Sequence, residues 1–300
     1  MNGYAYILTE RHDKPTEPEW RQLHRIMDRA EPKIRRAFLE AIAKTQSAVV
    51  LADVVRALDA NDFATATAAV PWDTVGKRIL NTKLMKILRD VFDEAGTVSA
   101  RLVGDEFDFS VTDPRSLEVI RAKGGELIRE ISDTTLANVR GGLSSMIESG
   151  VNTQDAAQMI RSQIGLTERM GKAVTRHYDN LIEQGLTRRQ ALQGAATKSH
   201  ELRQMRALMI ARTEAAKAAH EGQAQSWEQA ADQGVIDRDK ARRVWVTTPD
   251  EHSDHDPPSC WDLDGQEVRL NEAFVISNKS IMRPPLHPNC RCSVALRAEG

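Results

Sequence analysis

The three cysteines of the chain all lie in its C-terminal part, close to a histidine. Cys260 precedes the stretch PPLHPNCRC, which contains His287, Cys290 and Cys292. His-x-x-Cys in a tight turn can direct both side chains to one point, and Cys-x-Cys places two thiols on the same side of an extended segment. One imidazole and three thiolates are the donor set of a tetrahedral zinc site. The pattern therefore predicts that the C-terminal part folds around a structural zinc ion, with no coordination position open for a catalytic water.

The same residues allow two other interpretations. Cys290 and Cys292 could be buried thiols with His287 as a capping residue, or Cys260 could form a disulfide with one of them. A disulfide is disfavoured in a reducing compartment. We expect such a compartment because the N-terminal stretch MNGYAYILTERHDKP shows neither a basic leader nor a long apolar segment.

An acidic, histidine-containing stretch, DEHSDHD at 250–256, lies just before Cys260. Its His255 and Asp256 are reserve metal ligands should one cysteine not coordinate. The stretch could also hold a hydrolytic metal, which leaves a metal-dependent hydrolase or nuclease as an alternative function. The simpler interpretation is a solvated acidic loop between two strands.

Composition limits the function classes further. The chain has 300 residues and a formal net charge of −2, so no global basic field attracts nucleic acid or an anionic membrane. No apolar run is long enough to span a bilayer, and no membrane partner is expected. The motifs HExxH, GxSxG and the P-loop are absent, so the sequence does not predict an enzyme. Aromatic residues make up only 5%, which favours packed helices over a sheet sandwich.

Helix signals recur through the first three quarters of the chain. Glycines at 150, 165 and 185 each end one predicted helix, and Asn or Thr two residues later caps the next. Breaks are expected near Glu31-Pro32, because proline disfavours helix in the residue before it, and at Gly124-Gly125. A long helix is predicted from about 201 to 234.

After Gly234 the pattern changes from helix to strand. Residues 243–247 alternate and are rich in β-formers, and 267–270 and 293–296 are two further short candidates. The predicted fold class is mainly α, a multi-helical body followed by a small, loop-rich α+β domain that is stapled by zinc. The predicted segments are an N-terminal helical region at 1–110, a second helical region at 111–234 and the Cys/His domain at 235–300.

An ordered set of motifs runs through the second half of the chain. They are IARTE from Ile210, AHEG from Ala219, VWV from Val244, CWDLDG from Cys260 and PLHPNCRC from Pro285. In this order and approximate spacing the chain resembles the head morphogenesis (minor capsid) proteins of tailed phages, the family of the phage Mu F protein. The resemblance is specific from about 205 to 296 and extends weakly back to about 110, whereas 1–105 shows nothing comparable.

The resemblance implies a protein of the virion, in the head interior or at the portal, that is present in the host cytoplasm during assembly. The partners it implies are the portal protein, the major capsid protein or a scaffold protein, and the implied role is head assembly or DNA ejection without a chemical step. One departure concerns the zinc ligands. Many relatives read Cys-Pro-x-Cys before the Leu-Asp-Gly turn, whereas this chain has Pro257-Pro-Ser-Cys260 and lacks the first cysteine.

Two further sets of residues are candidates for specific roles. Arg212, Thr213 and Glu214, with Gly265 of the Leu-Asp-Gly turn, are structural candidates, and an ion pair made by Arg212 and Glu214 is expected to tie the long helix to the C-terminal domain. The stretch 165–199 resembles a helix-turn-helix, so weak, salt-sensitive contact with packaged DNA is an alternative to a solvated charged face. The basic residues that would make this contact are Arg169, Lys172, Arg176, Arg188 and Arg189.

Overall fold

The structure is a computed structural model that describes residues 19–104, 106–248 and 259–297. The chain divides into two compact units. We call the unit made of 1–34, 86–122 and 209–300 the C-terminal unit, and the unit made of 35–85 and 123–208 the helical unit.

Helices dominate both units, which confirms the predicted fold class. The glycine turns at 150, 165 and 185 are also confirmed, each with a φ between +82° and +85°. The helices are α1 Glu19–Ala48, α2 Leu51–Asp59, α3 Phe63–Ala68, α4 Lys77–Ile79 between the π-helical turns Trp72–Gly76 and Leu80–Leu84, α5 Met85–Val103, α6 Pro114–Glu148, α7 Thr153–Gln163, α8 Glu168–Glu183 and α9 Arg188–Asp232.

The two predicted helix breaks were wrong. Helix α1 runs through Pro32, and buried Ala30 and Ile34 flank the proline, so tertiary packing outweighs the lost hydrogen bond. Helix α6 continues through Gly124-Gly125. A Cβ at Gly124 would lie 2.2 Å from the Met85 sulfur, so this glycine permits a close approach rather than ending the helix.

All strands lie in the C-terminal unit, within the described part of the chain. They are β1 Arg242–Val246, β2 Glu267–Arg269, β3 Phe274–Ile276, β4 Lys279–Ile281 and β5 Ser293–Arg297. The antiparallel order β2-β1-β5 confirms the three predicted strands. The hairpin β3-β4 was missed, because two strands of three residues are too short for alternation to be visible.

The strands share one core with helices from earlier in the chain. Trp245 and Phe274 stack edge to face in this core, at a centroid distance of 5.2 Å. Ala100 of α5 and Trp227 of α9 are buried in the same cluster. This compact unit therefore draws on all three of the segments 1–110, 111–234 and 235–300, and the division into those segments stays a prediction.

The helical unit has an apolar core around a buried arginine. Arg206 of α9 lies with its guanidinium 5.6 Å from the centre of the Phe38 ring. It donates to the Gly165 carbonyl and the Thr134 hydroxyl, each at 2.7 Å. Burial lowers the pKa of this guanidinium to about 10, so it stays charged at neutral pH.

Candidate metal centre

Cys260 opens a 3₁₀ turn, Cys260–Asp262, that follows β1 in the described structure. Ser259 and Asp262 form a capping box around this turn. The hydroxyl of Thr247, directly after β1, donates to the Cys260 carbonyl at 2.8 Å. The thiol is therefore placed by a short, capped turn that is anchored to the central strand of the sheet.

His287 and Cys290 lie at the two ends of a tight turn. The Cys290 N–H donates to the His287 carbonyl at 3.1 Å, and Asn289 has a left-handed φ of 63°. Proline in the second position and asparagine in the third are typical of a type II turn. His-Pro-Asn-Cys is thus itself a turn signature, and it explains why both side chains face one point.

Three of the four predicted ligands meet in the structure. The Cys260 sulfur lies 3.1 Å from His287 Nε2 and 3.9 Å from the Cys290 sulfur. The ligand atoms of all three residues lie within 4.8 Å of one another. Tetrahedral coordination at about 2.3 Å would place two thiolates about 3.8 Å apart, close to the observed sulfur separation. The cluster could therefore hold a metal ion.

The imidazole of His287 has the tautomer that a metal ligand needs. Its Nδ1 lies 2.9 Å from the Pro288 carbonyl, which can only accept a hydrogen bond. In the neutral ring the proton is therefore on Nδ1, and Nε2 presents its lone pair to the thiol of Cys260. Metal-bound histidines commonly donate their second nitrogen to a carbonyl in this way.

Cys292 is 1% exposed, but its sulfur is outside the group of three. It still interacts with them. Hydrogen bonds from the Cys260 thiol, and then from the Cys292 thiol, lower the pKa of Cys290. Hydrogen bonding to the Cys260 thiol, and then to the Cys290 thiol, raises the pKa of Cys292. Since a thiolate is the form that binds metal, the lowered pKa favours the metal-binding form of Cys290. The reserve ligands His255 and Asp256 lie outside the described residues.

The backbone around the last two cysteines is held by side chains of two helices. On α9, Thr213 Oγ1 accepts from the Asn289 N–H at 3.2 Å, and Gln223 Nε2 donates to the Val294 carbonyl at 2.9 Å. His220 Nε2 lies 3.1 Å from the Cys292 carbonyl, and His24 Nε2 of α1 lies 2.8 Å from the Arg291 carbonyl. We call the side chains of His24, Thr213, His220 and Gln223 the backbone clamp.

The contacts of the backbone clamp were not predicted from the sequence, although AHEG and IARTE were recognised as motifs. Within RTE, Arg212 pairs with Glu31 of α1 at 3.0 Å, and Glu214 pairs with Lys217 at 2.8 Å. Thr213 contacts the backbone of Asn289 directly. We call the stretch 289–294, which carries the last two cysteines, the ligand segment. Arg212 and Glu214 each form an ion pair with another residue, and the Thr213 hydroxyl contacts the ligand segment. That Arg212 and Glu214 tie α9 to the C-terminal domain stays a prediction.

The structure explains why positions 222 and 265 are occupied by glycine. A Cβ at Gly222 would lie 2.0 Å from the Phe92 carbonyl oxygen, so glycine lets α9 approach the backbone of α5. Gly265 has a φ of +75°, and its N–H donates to the Trp245 carbonyl at 2.9 Å. Both glycines support the scaffold of the metal centre.

The five candidate DNA-contacting residues are exposed side chains of the helical unit. Arg169, Lys172 and Arg176 lie along one face of α8, while Arg188 and Arg189 begin α9. Two of the five have acidic partners, since Lys172 pairs with Glu168 at 2.7 Å and Arg188 with Asp155 at 3.9 Å. The net positive charge of this surface is therefore smaller than the five basic residues alone would give.

The comparison with protein families agrees with the geometry. The model of the family described as Phage Mu protein F like protein matches residues 137–295, more than half of the chain. The chain belongs to this family. The match covers α7, α8, α9, β1 to β4 and the first three residues of β5, and it includes all four predicted ligands. Membership makes this a phage head protein, and it confirms the resemblance stated from the motifs.

No curated protein and no solved structure matched the chain. Among the helices that the structure describes, none combines the length and the apolar character needed to cross a bilayer.

Proposed function

We propose that the protein is a minor capsid component that acts in head assembly, in the head interior or next to the portal. The supporting observation is the family match over 137–295, which spans α7, α8, α9 and the Cys/His cluster together. The portal protein, the major capsid protein and a scaffold protein are the partners proposed, and a part in DNA ejection is included. No chemical step belongs to the proposal.

We further propose that the Cys/His cluster binds a structural zinc ion through Cys260, His287, Cys290 and Cys292. Two thiols and an imidazole with the correct tautomer support it. The identity of the fourth ligand distinguishes a structural site from a catalytic one, because a water in that position would be open to chemistry. Cys260 is 0% exposed and Cys290 is 3% exposed, which leaves little access for a substrate and favours Cys292 as the fourth ligand.

The proposed function is tested by quantitative mass spectrometry of heads purified on a gradient from the phage that encodes the chain. The major capsid protein serves as the internal reference. A small, constant number of copies per particle is expected, together with cross-links to the portal protein. Particles without the protein, combined with no binding to portal, capsid or scaffold protein, would contradict the proposal.

Contact with packaged DNA is a second candidate, supported by the exposed face of α8 with Arg169, Lys172 and Arg176. Each phosphate contact adds about 0.9 to the slope of log affinity against log salt concentration. Replacing Arg169 and Arg176 by glutamine should therefore reduce that slope by about 2. A binding affinity that is independent of salt in the unsubstituted protein would exclude this role.

A further inference from the structure

The backbone clamp raises the question of what its four side chains do for the metal centre. None of them belongs to the group of three converging ligands. His24, Thr213, His220 and Gln223 bond instead to backbone groups between Asn289 and Val294. Bonds to the backbone fix the path of this segment, and thereby the direction of its thiols, without competing for the metal.

Two residues of α9 hold the ligand segment on either side of Cys290-Arg291. Thr213 and His220 are two helical turns apart, which corresponds to a rise of about 10 Å. Thr213 accepts from the N–H of Asn289, in the turn before Cys290, and His220 contacts the carbonyl of Cys292. A shift of the segment along α9 would therefore break both contacts.

The bond to Cys292 is the one that acts on a predicted ligand directly. His220 is 1% exposed, and its ring lies within hydrogen-bond distance of two groups, the Cys292 carbonyl and the Gln223 side chain. The Cys292 carbonyl and Gln223 Oε1 can each only accept, and a neutral ring carries one N–H. We assign it to Nε2, which makes the shorter contact, 3.1 Å to the Cys292 carbonyl against 3.2 Å from Nδ1 to Gln223 Oε1. Gln223 is fixed in turn by its bonds to the Val294 carbonyl and to Glu19 Oε1, each at 2.9 Å. The ring therefore has little freedom to turn away.

We propose that His220 is a positioning residue of the metal centre, which holds the Cys292 backbone so that the Cys292 thiol completes the ligand set. Thr213 acts in the same way on the turn that carries His287 and Cys290. The proposal rests on the proposed zinc site. Its consequence is that metal binding and the docking of α9 on the ligand segment stabilise each other, since each requires the same path of the backbone.

The test uses the full-length protein and Co²⁺ as a spectroscopic probe, with Zn²⁺ affinity measured by competition against a chromophoric chelator. His220→Leu removes the donor at similar bulk, and we expect it to weaken metal binding by roughly 10- to 100-fold. We also expect the thiolate-to-cobalt charge-transfer absorption to fall by about one third, the share of one thiolate among three. Thr213→Val should weaken binding by less.

Conservative variants separate positioning from a general loss of stability. His220→Gln keeps an amide donor near the place of Nε2 and should bind metal nearly as the unsubstituted protein does. His220→Asn places its donor one bond too short to reach the Cys292 carbonyl and should resemble His220→Leu. Thr197→Val is the matched control for Thr213→Val, because its hydroxyl bonds only within α9, to the Gln193 carbonyl.

The possible outcomes are distinguishable. If the unsubstituted protein binds neither Co²⁺ nor Zn²⁺, the zinc site fails, and the positioning role fails with it. If that protein binds metal but His220→Leu shows the same affinity and spectrum, the positioning role alone is overturned. If His220→Leu does not fold, the comparison of His220→Gln with His220→Asn decides, and equal binding by these two variants would contradict the proposal.

Discussion

The helix caps of the helical unit and the backbone clamp of the C-terminal unit satisfy backbone polar groups over different distances in sequence. In the helical unit, Asn152 and Thr167 cap helices whose N–H groups lie three residues away. In the C-terminal unit, the bond between His220 and the Cys292 carbonyl joins residues 72 positions apart, and that between His24 and the Arg291 carbonyl spans 267. Hydrogen bonds between neighbours in sequence form wherever the sequence carries a cap, whereas hydrogen bonds between residues far apart in sequence exist only after the chain has folded.

Both units contain a buried arginine that donates to backbone carbonyls. Arg243 of β1 is 2% exposed, and it donates to the carbonyls of Arg269, Met282 and Glu272. Burial lowers its pKa to about 10, as it does for Arg206 in the helical unit. Each guanidinium also lies over a phenylalanine ring. A buried arginine with carbonyl acceptors therefore fixes irregular backbone in both units, and the C-terminal unit differs by the additional Cys/His cluster.

The largest expected effect comes from removing the metal. Structural zinc contributes roughly 10–16 kcal/mol in isolated finger peptides, and even a fraction would dominate a unit with short strands. Cys290→Ser, or treatment with a strong chelator, should abolish the near-ultraviolet circular dichroism of Trp245 while most of the helical signal stays. Metal content measured by plasma mass spectrometry checks the prediction. Added Zn²⁺ should restore the chelated protein, and a variant that retains full metal would exclude Cys290 as a ligand.

Gly222→Ala should be the next most damaging change, and it again acts on the C-terminal unit. The new methyl would lie 2.0 Å from the Phe92 carbonyl oxygen, and backbone cannot yield as a flexible side chain does. We expect the free energy of unfolding to fall by more than about 3 kcal/mol.

Gly125→Ala on α6 is the matched control for Gly222→Ala, because nothing lies within 4 Å of its new Cβ. It should raise stability by roughly 0.5–1 kcal/mol through helix propensity. Urea unfolding of both variants measures the difference. Similar values for the two glycines would contradict the close approach of α9 to α5.

Arg206→Met tests the contribution of the buried arginine to the stability of the helical unit. Methionine keeps much of the bulk but leaves the Gly165 carbonyl without its donor, so a loss of about 2–3 kcal/mol is expected. Arg169→Met on the exposed face of α8 is the control and should change stability by less than about 0.5 kcal/mol. Thermal unfolding checks both variants, and equal shifts would mean that the buried guanidinium contributes nothing specific.

The smallest effect concerns the edge of the β3-β4 hairpin. The Gln266 side chain bonds both the N–H and the carbonyl of Val275, at 2.9 and 3.1 Å, and so occupies the edge of β3 as a neighbouring strand would. Gln266→Ala should cost about 1 kcal/mol and should expose this edge to self-association. Size-exclusion chromatography at increasing concentration measures the association, with Gln233→Ala as the control. An unchanged elution volume at every concentration would show that the edge needs no protection.

Some features of the candidate site could be predicted from residues close together in the chain. The His-Pro-Asn-Cys turn is fixed by proline and asparagine in adjacent positions, and the glycine turns before α7, α8 and α9 are fixed by a glycine and a cap. The type of residue in such a turn decides its geometry directly. For this reason the helices, three of the strands and the convergence of His287 and Cys290 followed from local sequence patterns, whereas Cys260 reaches them from 27 residues away.

The rest depended on partners that the sequence does not identify. Nothing local indicates that Gly124 faces a methionine, that Pro32 can stay within a helix, or that His220 bonds to the backbone of Cys292. Each of these depends on which surfaces meet after folding. The sequence by itself therefore determined the helical body and the place of the thiols. Only the tertiary structure decided that α5 and α9 share the core of the C-terminal unit and that α1 and α9 hold its ligand segment. The reason is that packing and long-range hydrogen bonds depend on proximity in space rather than along the chain.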